Sequence, residues 1–442
     1  MKARPFVLSW ILCAATAVLP AATVPDRKGA VLNDRLSLVN DARWIYNDHE
    51  KGFAEARRTG KPLLIVLRCV PCLGCSSLDA RVLLDNSDLD PLLSRFVRVR
   101  VINANALDLA RFQFDYDLSF SAMFFNGDGT VYGRFSSWAH QVNTQDATTT
   151  GFQKALLATL ELHQNYPANQ AQLAGKQGLK LPFNDPLQIP ELAGKYRREL
   201  DWEGKVVQSC VHCHQIGDAL RSFHRKESQP MPVNLIYPWP APETIGVSFA
   251  PDHIARVQSV EPGSIAARAG LRVGDDLVSL DGQPLISSAE VSWCLHRITG
   301  AGTLAAVIRR DGAEQTVPIS LPEGWRLNSD ISRRVGTWGM RAMALGGLYL
   351  EDLANEERTR RGLDEERMAL LIKHAGEYGE HAAAKKAGFQ KDDVIIELEG
   401  RSARVSESRL IGDLLLKHRP GAKVKAVVLR GGERVELSLP IQ

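Results

Sequence analysis

Two clusters of cysteines hold the residue types that could do chemistry in this sequence. Cys210, Cys213 and His214 stand in the order Cys-x-x-Cys-His, within SCVHCHQIGD at 209–218. Two thiols at this spacing can add to the vinyl groups of one porphyrin, and the next histidine can then ligate the iron. The motif therefore predicts a covalently bound c-type haem with His214 as the proximal iron ligand.

Two other interpretations of this motif stay open. A structural zinc site needs four ligands, which the two cysteines with His214 or His224 could help to supply. A plain dithiol is the third interpretation. With haem, we predict Met231 as the distal ligand, since Met/His ligation suits electron transfer, and His224 is the second candidate. Because 190–240 is too short for a core of its own, we expect it to pack against a neighbouring domain.

The second cluster comprises Cys69, Cys72 and Cys75, directly after a buried-strand pattern at 63–67. A helical pattern follows Cys75, and the amino terminus of a helix lowers the pKa of a thiol that lies there. We predict that Cys72 and Cys75 form a catalytic dithiol, with Cys69 as a candidate third thiol. The alternatives are a structural disulfide or a soft metal such as copper, because three thiolates at i, i+3 and i+6 suit soft ions.

The first residues predict export. Lys2 and Arg4 precede an apolar stretch at 6–19, and small residues follow it, as in a secretory signal peptide at 1–22. No other stretch is apolar enough to span a membrane, so we expect a periplasmic or otherwise exported protein without a stable span after cleavage. Of seven cysteines, losing Cys13 leaves six, and five of these lie in the two clusters. Tight clusters favour chemistry over a disulfide framework.

Length and charge restrict the class of protein. A chain of 442 residues is long enough for about three domains. Its composition, 44% hydrophobic and 24% charged, is that of a globular protein. The net charge of +3 comes without a run of Lys or Arg, so we expect no nucleic-acid partner.

The region around the second cluster has an α/β pattern. Strand patterns at 63–67 and 96–104 are followed by a hairpin at 122–135, which turns at Asn126-Gly127-Asp128-Gly129. Residues 41–165 resemble the thioredoxin-like family through Trp44, Gly60-Lys61-Pro62, the Cys72-Leu73-Gly74-Cys75 motif and the FFNGDG hairpin. The resemblance implies thiol–disulfide exchange at Cys72 and Cys75. The family's cis-proline before the hairpin strand is replaced by Phe120-Ser121, which leaves a degenerate scaffold as the alternative.

The C-terminal half contains a repeated pattern. The stretch EPGSIAARAGLRVGDDLVSLDGQ at 261–283 resembles a PDZ domain of the bacterial type, which we place at 243–325. The pattern recurs at 382–440, and we predict a second PDZ-like domain at 338–442. The resemblance implies a peptide groove, whose carboxylate-binding loop and strand begin at Ile245, Gly246 and Val247. A helix at 288–298 would line it.

Three smaller expectations concern the same half. Pro230, Pro232, Pro238, Pro240 and Pro242 predict an extended linker between the haem segment and the first PDZ domain. On the groove helix we expect His296 to face solvent and Cys294 to be a small buried hydrophobe.

The predicted fold is thus α/β plus mixed β/α modules: a thioredoxin-like domain, a c-type haem segment and two PDZ-like domains. The whole resembles exported bacterial multidomain proteins. Two functions remain open. One is a thiol–disulfide or electron-transfer protein with haem c and a peptide client in the PDZ groove. The other is a PDZ adaptor with a degenerate thioredoxin-like domain. No serine-hydrolase arrangement is visible.

Overall fold

A mixed five-stranded sheet forms the core of the first domain. The computed structural model describes residues 26–68, 70, 87–118, 120–136, 148–227 and 230–442. The strands are β1 (Ile45–Tyr46), β2 (Leu63–Arg68), β3 (Val97–Val101), β4 (Phe120–Phe125) and β5 (Val131–Phe135). Their order is β1-β3-β2-β4-β5, with β1 and β2 parallel to β3 and with β4 and β5 antiparallel to their neighbours. The predicted α/β pattern is present.

Helices cover both faces of this sheet. Helix α2 (His49–Thr59) packs on one face, and α3 (Asp90–Leu93) and α4 (Thr149–Gln164) pack on the other. Since both faces are covered, every residue of 63–67 is buried, which explains why that stretch is apolar throughout. Gly60 ends α2 in the left-handed region, with φ of +67°.

A further helix, α1 (Arg27–Leu38), precedes the domain predicted at 41–165. Its Asp34 accepts a hydrogen bond of 2.9 Å from the Tyr46 hydroxyl and pairs with the buried Arg100 of β3. Val31 on the same helix is fully buried. The helix is therefore fixed to the β1–β3 side of the sheet.

The chain between α4 and the first PDZ domain is packed, although most of it is irregular. It contains α5 (Gln170–Leu173), α6 (Val206–Ser209), α7 (Cys213–Lys226) and α8 (Val233–Ile236). Val211, Ile216 and Ala219 belong to the apolar core on the α2 side of the first sheet. The segment that carries the Cys-x-x-Cys-His motif therefore packs against the first domain.

The prediction of an extended proline-rich linker is wrong. Tyr237 is fully buried, and its hydroxyl donates to the carbonyl of Ser408 at 2.8 Å. Trp239 is buried in the core of the first PDZ domain. The prolines alternate with large apolar side chains, and the burial of those side chains outweighs the preference of proline for extended solvated chain.

The first PDZ domain combines a strand pair with a four-stranded sheet. Strand β6 (Val247–Phe249) pairs with β7 (Val257–Val260), and α9 (Ile265–Arg268) follows. The sheet has the order β11-β10-β8-β9 and is formed by β8 (Asp276–Leu280), β9 (Gln283–Pro284), β10 (Gly302–Arg310) and β11 (Ala313–Leu321). Helix α10 (Ala289–Arg297) lies between β9 and β10 in sequence.

A similar succession of elements, with an added helix and without a counterpart of β9 among its described strands, recurs in the C-terminal domain after α11 (Thr337–Leu345). It comprises β12 (Leu348–Asp352), the added helix α12 (Asn355–Arg360), β13 (Leu370–Ala375), α13 (Ala383–Lys386), β14 (Val394–Leu398), α14 (Glu407–Lys417), β15 (Lys423–Arg430) and β16 (Glu433–Pro440). These strands form one sheet in chain order. Gly246 and Gly347 have corresponding roles, because their carbonyls accept from Glu261 N at 2.9 Å and from Gly376 N at 3.1 Å. The repeat in the sequence is thus also a repeat of structure.

In the part of the chain that the structure describes, no helix combines the length and the apolar character needed to cross a bilayer.

Candidate functional site

The Cys-x-x-Cys-His segment lies at the start of helix α7. Cys210 directly follows α6, His212 is the N-cap of α7, and Cys213 and His214 open its first turn. The His212 side chain accepts from the third helical N–H, while Gln215 accepts from the backbone N–H of His212 at 2.7 Å. This reciprocal capping fixes where the helix begins.

Backbone hydrogen bonds join this segment to the thioredoxin-like domain. Ala104 N donates to the carbonyl of Val211 at 2.9 Å, and Val211 N donates to Asn105 Oδ1 at 2.7 Å. The amide group of Asn105 also donates to the carbonyl of Ser209 at 2.8 Å. Because Asn105 is fully buried, these bonds place Cys210 and Cys213 firmly against the sheet that carries β3.

Cys210 lies in a small apolar cluster that includes Val31 of α1, Val70, Ile102 and Val206. Only 2% of it is exposed, and it is not in a disulfide. Burial raises the pKa of its thiol to about 11, so it is neutral at physiological pH. Cys213 is partly buried and packs instead against the core on the α2 side of the sheet.

His214 presents one nitrogen to a carboxylate. Its Nδ1 lies 3.4 Å from Asp218 Oδ2, one turn further along α7, and about a third of its side chain is exposed. A carboxylate beside one ring nitrogen orients a histidine so that the other nitrogen can ligate a metal. The ring of His212 stacks on that of His214 with 5.8 Å between centroids, and burial lowers the pKa of His212 to about 4.

The residues of this segment fit a covalent haem in type and order. Two thiols precede an imidazole whose Nε2 is the nitrogen left for iron. A porphyrin would have to displace the apolar contacts of Cys210 with Val31 or Val70, and it would also have to reach Cys213, which packs against the other core. Zinc has less support, because within the described ranges no three His, Cys, Asp or Glu side chains converge on one point.

The predicted distal ligand lies elsewhere. Met231 is buried in the core of the C-terminal domain, with Ile236, Tyr237 and Met340 among its neighbours. Neither Cys210 nor Cys213 belongs to that cluster. This packing gives Met231 a structural role and lends the distal-ligand prediction no support. His224, the second candidate, lies in the last turn of α7, three turns beyond His214.

The predicted dithiol falls outside the described residues, since Cys69, Cys72 and Cys75 all lie there. What the structure describes is the chain on either side of Cys69. Arg68 ends β2, and Val70 packs in the cluster of Cys210. The Cys-x-x-Cys-His segment therefore lies beside the carboxyl end of β2.

The predicted carboxylate-binding loop has one amide already in use. Gly246 has φ of +78° and donates its N–H to the carbonyl of Glu243 at 2.9 Å, as the cap of a short 3-10 turn. Ile245 and Val247 are both buried in the domain core. Among the described strands, β6 pairs only with β7.

The groove helix α10 differs from expectation at His296. The expectation that His296 faces solvent is wrong: its ring stacks on Trp239 at 5.0 Å, and its Nδ1 accepts from Trp239 N at 3.2 Å. Burial lowers the pKa of His296 to about 3. Cys294 is buried as expected, and burial raises the pKa of its thiol to about 12.

Two buried charge clusters join the domains, and sequence patterns did not indicate either. Glu290 of α10 accepts from Arg134 N at 3.0 Å and pairs with the fully buried Lys176. The partners are more than 100 residues apart, and each alone resembles a solvated surface charge. The only local signal was an acidic residue on the apolar part of a helix, which is too weak to identify a partner.

The second cluster lies near α7. Arg334, just before α11, donates to Asp117 Oδ2 at 2.9 Å and to Asp115 Oδ1 at 2.5 Å, and all three side chains are buried. Burial raises the pKa of Asp115 to about 6, although Arg334 opposes that shift. Arg221 of α7 lies 4.0 Å from Asp117. Helix α7, the first domain and the segment before the C-terminal domain thus meet here.

Two domain families match this chain. Residues 44–127 match the thioredoxin-like family, and residues 256–299 match the PDZ domain family. The chain therefore contains a thioredoxin-like domain and a PDZ domain, and that part of the predicted architecture is confirmed.

Individual relatives share only part of the chain. A probable periplasmic serine endoprotease DegP-like from Pseudomonas fluorescens is 26% identical over 179 residues, which is 40% of this chain and 36% of that protein. The chain thus matches about a third of the length of this relative. The solved HtrA-type protease AlgW with a decapeptide is 22% identical and covers 36% of this chain and 44% of its own, with a TM-score of 0.21. AlgW with a tripeptide is 19% identical and covers 33% of this chain and 54% of its own, with the same TM-score of 0.21.

Proposed function

We propose that this protein is an exported thiol–disulfide protein that holds a peptide or protein client at its first PDZ domain. The observation that carries the proposal is the position of Val70, which joins the end of β2 to the cluster of Cys210. In the sequence, Cys72 and Cys75 follow Val70 by two and five residues. Active residues of α/β proteins gather at the carboxyl ends of parallel strands.

In the proposed reaction, the Cys72 thiolate attacks a client disulfide and forms a mixed disulfide, which releases one client thiolate. Cys75 then attacks the sulfur of Cys72 and releases the second client thiolate, leaving Cys72–Cys75 oxidised and the client reduced. The reverse sequence oxidises the client.

The Cys-x-x-Cys-His segment would hold haem c through Cys210 and Cys213, with His214 on the iron. When bound, the haem would supply one-electron transfer. Asp218 would hold the His214 ring in place and keep a proton on its Nδ1.

Thiol trapping across a series of redox buffers tests the exchange reaction. We expect a two-electron midpoint for Cys72 and Cys75 between about −330 and −100 mV, the range of known protein disulfides. A Cys72→Ser variant should lose that midpoint, and Cys294→Ser is the matched control because Cys294 is buried in the PDZ domain. No reversible midpoint in the native protein would leave the domain as a scaffold.

The second candidate function, a PDZ adaptor, is favoured by β6, which pairs only with β7 among the described strands, and by Phe120-Ser121 in place of the family's cis-proline. Both functions need peptide binding. A peptide should add as a strand beside β6, and its carboxylate should meet the loop at Ile245, Gly246 and Val247. Because the Gly246 amide is already bonded to Glu243, the loop must open or offer its other amides.

This proposal is tested by comparing the affinities of two peptides of the same sequence, one with a free and one with an amidated carboxyl terminus. Tighter binding of the free acid than of the amide supports capture of a carboxylate. Equal binding of both forms, or none, contradicts it.

A further inference from the structure

Strand β12 is the end strand of the C-terminal sheet and pairs with β13 among the described strands. The outward N–H groups of such an edge strand are the donors that an added peptide strand would use. One of them is already bonded, because Leu350 N donates to Glu407 Oε1 at 2.8 Å. A carboxylate of the chain itself thus occupies the position of a peptide carbonyl.

Glu407 is held in this position by Arg341. The guanidinium donates to both carboxylate oxygens, with Nε 2.9 Å from Oε1 and Nη2 2.6 Å from Oε2. Arg341 is 2% exposed and Glu407 is 5% exposed. A buried bidentate pair of this geometry is among the strongest polar contacts in proteins, and removal of one partner leaves the other charge buried alone.

Arg341 belongs to α11, which packs against both α14 and β12. Its guanidinium lies against two neighbouring aromatic rings, 4.9 Å from the centroid of Trp338 and 4.6 Å from that of Tyr349. By the internal repeat, β12 and α14 correspond to the groove strand β6 and the groove helix α10. Helix α11 therefore fills the space that a peptide would take.

The first PDZ domain lacks this arrangement in its described residues. The segment before Gly246 is a 3-10 turn at Pro242–Ile245 instead of a helix, and the strand bonds of β6 run to β7. The buried glutamate of α10, Glu290, pairs with Arg134 of β5 and with Lys176, which follows α5. It does not face the edge of β6.

We propose that the groove of the C-terminal domain is an autoinhibited peptide site, which α11 holds shut through the Arg341–Glu407 pair. Release of the pair opens β12 to an extended peptide. This site rests on the proposal that the C-terminal domain is PDZ-like. Its opening does not depend on whether the first PDZ domain binds peptides.

Hydrogen exchange on the full chain tests the closure. The Leu350 amide should exchange slowly in the native protein and at least tenfold faster in an Arg341→Met variant. Arg409→Met is the matched control, since Arg409 also pairs with a carboxylate of α14, Asp413 at 2.9 Å, but is 42% exposed. It should leave that exchange unchanged. If the exchange of Leu350 is the same in the native protein and Arg341→Met, the closure is refuted.

Peptide stoichiometry tests the opening. The probe is a library of decapeptides with free carboxyl termini, randomised at the last four positions. Arg341→Met should gain one binding site over the native protein, from one to two if the first groove binds and from none to one if it does not. The gain of one site is expected in both cases, so it tests the C-terminal groove independently of peptide binding at the first PDZ domain. An unchanged number of sites in a folded variant overturns it.

If Arg341→Met does not fold, as judged by circular dichroism, Arg341→Lys replaces it. Lysine keeps the charge but loses the bidentate geometry. We expect faster exchange at Leu350 than in the native protein and a measurable second site; native values for both would overturn the proposal.

Discussion

Burial, more than neighbouring charge, sets the protonation of the side chains around both candidate sites. It raises the pKa of Cys210 to about 11 and lowers that of His212 to about 4 and that of His296 to about 3. Near neutral pH the Cys210 thiol and the two imidazoles therefore carry no charge. Reactivity at Cys210 therefore requires a change in its surroundings, such as covalent attachment or an opening of its cluster.

His296 should make stability depend on pH. Its folded pKa of about 3 lies below the unfolded value of about 6.5, so the unfolded state binds the proton more readily. The stabilisation is complete above pH 6.5 and is lost as the pH falls towards 3. Because His296 is only partly buried by surface area, we expect a loss of about 1–2 kcal/mol by pH 5.

The measurement is urea unfolding of the native protein and of His296→Phe between pH 5 and 8. Phenylalanine keeps the stack on Trp239 but does not titrate, so its stability should fall less on acidification. Parallel curves for the two proteins would show that His296 does not control this dependence.

Arg334 should be the costliest single charge to remove. Arg334→Leu leaves Asp115 and Asp117 buried without their shared guanidinium, and we expect a loss of about 3–5 kcal/mol in the free energy of unfolding. Arg309→Leu breaks an exposed pair with Glu314 and should cost about 0–1 kcal/mol. Chemical denaturation measures both, and a small loss for Arg334→Leu would contradict the role given to this cluster.

At the scale of elements, local patterns predicted what local physics determines. The strand at 63–67, the hairpin around Asn126-Gly127-Asp128-Gly129 and the groove helix near 288–298 were each found within about two residues, because periodicity and turn residues fix them. Helix α1 and the packing of Trp239 could not be predicted. Both depend on distant partners, Arg100 for α1 and His296 for Trp239.

The same reason limits the prediction of the site. The Cys-x-x-Cys-His motif is local and was recognised from spacing alone. Its attachment through Asn105 and its contact with Val70 required the fold, since these partners are more than 100 residues away. Met231 was chosen for its residue type, and the sequence held no signal that it packs with Met340.

Helix α1 should shield Cys210. Asp34→Ala removes the acceptor for Tyr46 and the partner of Arg100, so α1 should detach more often and expose the cluster of Val31 and Cys210. In haem-free protein we expect alkylation of Cys210 to become at least tenfold faster, as followed by peptide mass spectrometry.

Asp41→Ala is the control for this effect, because Asp41 pairs with the exposed Arg43 outside the helix. Equal alkylation rates in the native protein and Asp34→Ala would mean that α1 does not protect the thiol.

At the scale of the whole molecule, a covalent haem would add electron transfer to the proposed thiol–disulfide exchange. Protein from a host that matures c-type cytochromes should show c-type absorption bands and keep its haem in denaturing electrophoresis, because thioethers are covalent. Cys210→Ser combined with Cys213→Ser should abolish both signals. A colourless protein from that host, with or without bound zinc, would end the haem proposal.

Glu290 has a consequence for how this gene can change. It lies in the PDZ domain, but its cationic partners, Arg134 and Lys176, are encoded far upstream. A recombination event that exchanged the PDZ segment alone would bring in a helix without this glutamate. The two buried cations of the recipient, Arg134 and Lys176, would then have lost this carboxylate partner. An exchange should therefore succeed only if it carries Glu290 together with Arg134 and Lys176. We expect the thioredoxin-like and PDZ segments to be inherited together.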